Sequence, residues 1–417
     1  MSRHSKDTGT APADRPQAQT PAGTVDELRL PGMLLGGALV VAAFGLLTWG
    51  LAAASRGRTG QSYDRWFADV PGDLLARAQW VLGDITEPQF YKSPIAAIGL
   101  LAGATLAWWA GRRGARWAGY PISYGSGLWP WVLGAASLSL LLSNLAFGWR
   151  LDEGWQPTFV PFVCAATAIV LVNGGGWANL VTGAVLGAAT TTPVAMLLIA
   201  TVTGPLGLPA VVANTAAMSI GTALSFLVCR ALPWMRRPTA PLQSPAPEDE
   251  PAPTPRRGML TDAVWTVRRV IADFTETQFY ANELASIGVI AGISIAVLAD
   301  PTFPANGSGL IPQILFAQAL TSTVGVIVWR RYYRSGGWAP TYISVVSVAP
   351  ATVLAYGGSA VAIITGAVAG ALLCPVIARP ISARLPKDFH PFIGNTISMA
   401  VATSIIVPIV GFLPGNS

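Results

Sequence analysis

The groups with which this 417-residue chain could do chemistry are amides, hydroxyls and glycines set in apolar sequence, and they come in pairs. Asn173-Gly174-Gly175-Gly176 and Tyr356-Gly357-Gly358-Ser359 each separate two apolar runs. Glycine there frees backbone amides and carbonyls and lets a solute or another helix approach closely, although a tight turn between helices would use the same residues. Asn214-Thr215 and Asn395-Thr396 stand inside apolar runs, where an unpaired amide is unfavourable. Each is expected to contact substrate or to hydrogen-bond a neighbouring helix. Thr190-Thr191-Thr192-Pro193 and Cys374-Pro375 place a proline partway down a run, and such a break exposes carbonyls that can hold a cation or a polar solute. The chemistry in view is reversible binding of a small solute, with a monovalent cation as a second ligand.

Glu87 with Gln89, and Glu276 with Gln278, precede an apolar run in each half. Thr86 and Thr275 suit a cap, with the glutamate favouring a helix N-terminus. The other reading makes a glutamate a proton or cation site. No Asp, Glu, Lys, Arg or His falls within a run, which disfavours proton coupling and favours Na⁺ coupling or facilitated passage. Cys164, Cys229 and Cys374 stand alone, and His4 and His390 cannot form a ligand cluster by themselves, so no metal centre is expected. A P-loop, a Rossmann glycine pattern and a nucleophile elbow are all missing, so neither a cofactor nor an enzyme activity is expected.

These groups must be positioned by membrane spans. Hydrophobic residues make up 52% of the chain and charged ones 11%, and residues 154–229, 301–329, 335–378 and 389–417 carry no acid, lysine or arginine. Such composition marks an integral membrane protein. A polar tail over 1–30 reads as disordered, and 31–54 as an uncleaved anchor span. Apolar runs follow at 94–110, 128–147, 159–172, 178–200 and 209–229, then at 284–298, 310–328, 342–356, 360–378 and 392–412. The proline-rich stretch 238–258 reads as a linker. Segments 73–91 and 260–280 have amphipathic spacing and are expected to lie at the membrane interface. Runs 159–172 and 342–356 are short for a full crossing of roughly 20 residues, so each is a short crossing or part of a re-entrant hairpin.

The chain also repeats itself. Asp84-Ile85-Thr86-Glu87-Pro88-Gln89-Phe90-Tyr91 recurs as Asp273-Phe274-Thr275-Glu276-Thr277-Gln278-Phe279-Tyr280. Ile98-Gly99 then matches Ile287-Gly288, Gly125-Ser126-Gly127 matches Gly307-Ser308-Gly309, and Gly154-Trp155 matches Gly337-Trp338. Thr182-Gly183 matches Thr365-Gly366, and Asn214-Thr215 with Met218 matches Asn395-Thr396 with Met399. One anchor and two sets of five give an all-α membrane protein of about eleven transmembrane helices. An odd number in each copy makes the repeats, over 73–237 and 259–417, inverted. With the N-terminus in the cytoplasm and the C-terminus outside it, twenty of the 26 Lys and Arg residues face inward, as the positive-inside rule requires.

This architecture resembles inverted-repeat secondary transporters. Its span count, extra N-terminal helix and glycine-rich segments are similar in outline to the 2-hydroxycarboxylate transporter group, and the amphipathic helices are similar to those of elevator-type carriers. The resemblance implies a permease that moves a small solute by alternating access, with its site where the repeats meet. A channel-like facilitator of the same symmetry is the first alternative. The second is a non-transporting membrane protein that acts as an assembly partner or on lipid-linked substrates. High Ala, Gly and Arg usage points to a bacterial cytoplasmic membrane. The bilayer and a small solute are the expected partners, with homodimerisation open; the arginine-rich loops follow topology and do not point to nucleic acid.

Overall fold

The computed structural model of the chain describes residues 28–58, 60, 62–235, 258–333 and 338–415. Most of the polar tail, nearly all of the linker and Gly337 lie outside the described residues. The described chain is helical, with no strand among the described residues.

An N-terminal helix α1 (Leu30–Ala54) is followed by two short helices, α2 (Tyr63–Asp69) and α3 (Leu74–Asp84). The first half continues with α4 (Pro94–Arg112), α5 (Trp129–Phe147), α6 (Ala165–Asn173), α7 (Trp177–Leu206) and α8 (Ala210–Ala231). The second half opens with α9 (Met259–Asp273). It continues with α10 (Glu283–Ala299), α11 (Ile311–Val328), α12 (Val348–Ala355), α13 (Ala360–Ser382) and α14 (Phe392–Gly411). Among the described residues eight helices are long and apolar enough to cross a membrane: α1, α4, α5, α7, α8, α11, α13 and α14. Together they make this a membrane-embedded protein.

Local signals fix the helix starts. The Ser93 hydroxyl accepts from the Ala96 amide at 3.3 Å, with Pro94 at the first helical position. Asn282 at the matching position accepts from the amides of Leu284 at 2.8 Å and Ala285 at 3.1 Å. The expected caps at Thr86 and Thr275 are corrected: neither hydroxyl caps the turn that follows it. Each reaches forward instead, to the carbonyl of Ser93 at 3.1 Å and of Asn282 at 3.2 Å, and so closes its loop onto the start of the next helix.

Helices α4 and α10 meet in a close, reciprocal contact. A side chain at Gly99 would strike the Gly288 carbonyl, and one at Gly288 would strike the Gly99 carbonyl. Gly103 abuts Leu284 and Ala285, and Gly292 abuts Ile95 and Ala96, so the helices run antiparallel about that point. The loops ahead of them interlock in the same reciprocal way. The Gln89 amide donates to the Phe274 carbonyl at 3.1 Å and the Gln278 amide to the Ile85 carbonyl at 3.5 Å. The Ala305 amide donates to Tyr91 and the Ser123 amide to Tyr280, at 2.8 and 3.2 Å. Phe90 and Phe279 both adopt left-handed backbone, with φ of 68° and 62°.

The short third run of each half is a broken helix. The chain breaks at Cys164 (φ −142°, ψ −110°) and at Ser347 (φ −144°, ψ −88°), with a tighter helical turn before each break and α6 or α12 after it. Thr158 binds beside Asn144 near the end of α5, whereas Gly175 abuts Trp131 near its beginning, so the segment runs the length of α5. Likewise Thr341 lies against Gly325 near the end of α11, and Gly358 against Gln313 near its beginning. The breaks expected at Pro193 and Pro375 are corrected too, since both prolines sit inside continuous helix.

Segments 73–91 and 260–280 form α3 and α9 with the turns after them, and one face of each is packed on protein. Helix α9 buries Trp265, Arg269 and Asp273, and it packs with α11 against α1. Gly32 and Gly36 of α1 permit this, because a side chain at either would collide with α9. Among the described residues no helix packs on the first half in that way, so α1 sets the two halves apart.

Candidate functional site

Between the halves lies a cavity of about 530 Å³. Its wall takes Glu87, Pro88 and Phe90 from the first loop and Asn214, Thr215 and Met218 from α8. The second half contributes Thr277, Asn306, Val346, Leu354 of α12 and Met399 of α14. Tyr63, Trp155 and Phe159 complete an aromatic side, so most of the lining is apolar with few polar groups, as small-molecule sites are.

Two buried ion clusters form around the carboxyl groups of the two octapeptide copies. In the first, Lys92 is fully buried and pairs with Asp84, lies 3.3 Å from the Trp80 ring centroid, and comes within 3.8 Å of Glu87. Asp84 also accepts from Asn144 at 3.0 Å and Thr158 at 2.7 Å. In the second, Arg269 donates to both Asp273 and Glu276, and Ser322 donates to Asp273 at 2.6 Å. Each cluster thus sets two carboxyl groups against one cation. Burial raises the Glu87 carboxyl above the ordinary glutamate range and Asp84 adds to the rise, while Lys92 opposes it. Burial raises Glu276 likewise, against the lowering effect of Arg269.

Matching residues of the two halves are in different states. Among the described residues, the Asn214 amide oxygen, the Glu87 Oε2 atom and the Trp155 indole nitrogen have no hydrogen-bond partner, and all three residues line the cavity. In the other half the Asn395 amide donates to the Tyr342 hydroxyl at 3.0 Å, and the Trp338 indole donates to Glu276 at 2.7 Å. That end is closed further by the Phe279 ring, 5.0 Å from Phe392 and 5.3 Å from His390. Beyond them Arg230 and Asp388 form a bidentate ion pair at 2.7 Å, and Phe226 stacks on Phe389 at 5.2 Å.

Of the residues singled out by sequence, Glu87, Asn214 and Thr215 come together in the cavity. Asn395 and Thr396 occupy the closed end, with Thr396 hydrogen-bonded to Ser219 of α8 at 2.7 Å. Gln89 and Gln278 tie the two loops together, and Thr191 donates back to the Gly187 carbonyl within α7 at 2.6 Å. The glycine-rich segments are turns that do not border the cavity. Asn179 donates to the carbonyls of Asn173 and Gly174, Gly175 is pressed on Trp131, Gly357 and Gly358 take positive φ, and Ser359 caps α13 through the Ala362 amide at 3.0 Å. Sequence reasoning passed over Asp84, Lys92, Arg269 and Asp273. The repeated aspartate is the available signal, whereas Lys92 and Arg269 lie outside the repeated octapeptide.

Compared with known families and curated proteins, the chain matches no family model and no curated sequence.

Proposed function

We propose that the protein is a bacterial inner-membrane carrier that moves a small solute by alternating access, with the cavity between its halves as the solute site. The observation that carries this is the unequal state of matching residues. Among the described residues the Asn214 amide oxygen, Glu87 Oε2 and the Trp155 indole lack a hydrogen bond around an open cavity, while Asn395, Glu276 and Trp338 are engaged at a closed end. A carrier built from two equivalent halves needs this pair of states, which exchange when the accessible side changes.

The reciprocal contacts support inverted repeats. Residues at matching positions touch each other, and α4 and α10 run antiparallel through that contact, so a two-fold axis relating the halves lies across the helices rather than along them. Helix α10, at 17 residues, falls just short of the eight long spans, and with the two broken segments the chain makes eleven crossings as one plus five plus five. The positive-inside rule then places the cavity mouth outside the cytoplasm, with the Arg230–Asp388 pair on the cytoplasmic side.

Uptake of a labelled metabolite panel into proteoliposomes, with and without a Na⁺ gradient, tests the reading. Saturable uptake with counterflow, reduced at least ten-fold by Asn214→Ala, is expected. Flux without counterflow would instead identify a channel, and no flux from folded protein would contradict any transport role.

A further inference from the structure

The cavity wall leaves two acceptors without a hydrogen-bond partner, beside two groups that can donate, the Trp155 indole and the Tyr63 hydroxyl. Glu87 is 7% exposed and Asn214 4%, and each presents a hydrogen-bond acceptor that has no partner among the described residues. The other Glu87 oxygen accepts from Asn306 at 3.3 Å, which leaves Oε2 for a ligand. Lys92 cannot serve it well. It is bound to Asp84, lies over Trp80, and approaches Glu87 only to 3.8 Å without a hydrogen bond. Among the described residues no lysine or arginine lines the cavity, so the two carboxyl groups share Lys92 as their one cation. In the closed half the matching Glu276 has one oxygen bound by Arg269 and the other by Trp338, so the free oxygen belongs to the open side alone.

We propose that the cavity takes an organic solute bearing an ammonium group, with that group between Glu87 and Asn214 and its apolar body against Phe90, Trp155 and Phe159. This rests on the reading of the cavity as the solute site. A buried carboxylate that shares its one nearby cation with Asp84, and has an oxygen without a hydrogen bond, favours a charged donor over a neutral one, because a neutral solute leaves the two carboxyl groups with a net charge. Aromatic faces add cation–π attraction. A bare divalent ion would need about six oxygen ligands, which a mostly apolar wall does not offer, and among the described residues no three His, Cys, Asp or Glu converge. A carboxylate solute would meet Glu87 with like charge.

Three probes of one shape test the assignment: benzylammonium, benzyl alcohol and benzoate, titrated against the full-length protein in detergent and read by tryptophan fluorescence. Benzylammonium is expected to bind at least ten-fold tighter than the alcohol, and benzoate not to bind. Glu87→Gln should erase the preference, while Glu276→Gln should keep it. Asn214→Asp adds a second acceptor charge and should tighten benzylammonium about ten-fold, which keeps the test independent of whether Glu87→Gln folds. Equal binding of amine and alcohol overturns the proposal. So does a preference that survives Glu87→Gln, an Asn214→Asp variant that does not bind more tightly, or Na⁺ alone displacing benzylammonium competitively at equal concentration. Selective amine binding without counterflow in proteoliposomes would uphold the ligand class and defeat the carrier reading. Counterflow of neutral solutes without amine preference would do the reverse.

Discussion

The Trp338 indole donates to Glu276 at 2.7 Å, whereas Trp155 and Glu87, which hold the matching places in the first half, line one cavity with the indole nitrogen and Oε2 unbonded. Sequence makes these pairs equivalent, but their surroundings differ, since Arg269 holds Glu276 whereas Lys92 approaches Glu87. A hydrogen bond to a carboxylate contributes about 1.5–3 kcal/mol, enough to bias two nearly balanced arrangements of the same parts.

The α4–α10 contact should tolerate no side chain. Because Gly99 and Gly288 each meet the other's carbonyl, Gly99→Val and Gly288→Val are expected to destabilise by similar amounts, on the order of 3 kcal/mol or more. Thermal unfolding in detergent checks this. A large loss for one and none for the other would break the reciprocity.

The buried clusters predict a loss that depends on what is left behind. Lys92→Met strands Asp84 without its cation and should lower stability by about 3–5 kcal/mol, as should Arg269→Met with Asp273 and Glu276. The Lys92→Met, Asp84→Leu double variant should recover most of it, since both charges go together. Chemical denaturation of the single and double variants measures the difference.

Amine binding should depend on pH through Glu87. The groups facing it are Lys92, Asp84, the Tyr63 phenol and Asn306. Because burial raises this carboxyl above its ordinary 4.5, amine affinity should fall as pH drops, with a midpoint above 4.5. The stability sign is opposite. The folded protein holds the Glu87 proton more tightly than the unfolded chain, so that contribution is full below 4.5 and is lost as pH rises through the raised value. Titrating benzylammonium between pH 4 and 8, and repeating it with Glu87→Gln, checks the first effect; the variant should show no midpoint.

Much of the fold was legible in the sequence. Charge-free runs gave helix limits within a few residues, as for 128–147 against Trp129–Phe147, because lipid exposure demands apolar composition over a fixed length. The shortness of 159–172 and 342–356 did signal something unusual, and the structure resolves it as breaks at Cys164 and Ser347. The site was only partly legible. Asn214 and Glu87 stood out as polar groups near apolar surroundings, but the glycines at 174–175 and 357–358 serve turns, and composition cannot separate a turn from a binding loop. The clusters stayed hidden for a specific reason. The first copy draws its cation from Lys92, which matches Ala281, while the second draws it from Arg269, which matches Trp80, so aligning the copies shows no shared base.

The most direct measurement is two-sided cysteine labelling. Asn214→Cys and Asn395→Cys are placed separately in a background with Cys164, Cys229 and Cys374 replaced by alanine, and a membrane-impermeant thiol reagent is added to one side at a time. With Trp338 intact, Asn214→Cys should label from outside and Asn395→Cys should be protected. Adding Trp338→Phe, which removes the bond to Glu276, should raise labelling at 395 from the cytoplasmic side and lower it at 214 from outside. Labelling that rises at both sites together, or at neither, would contradict alternating access.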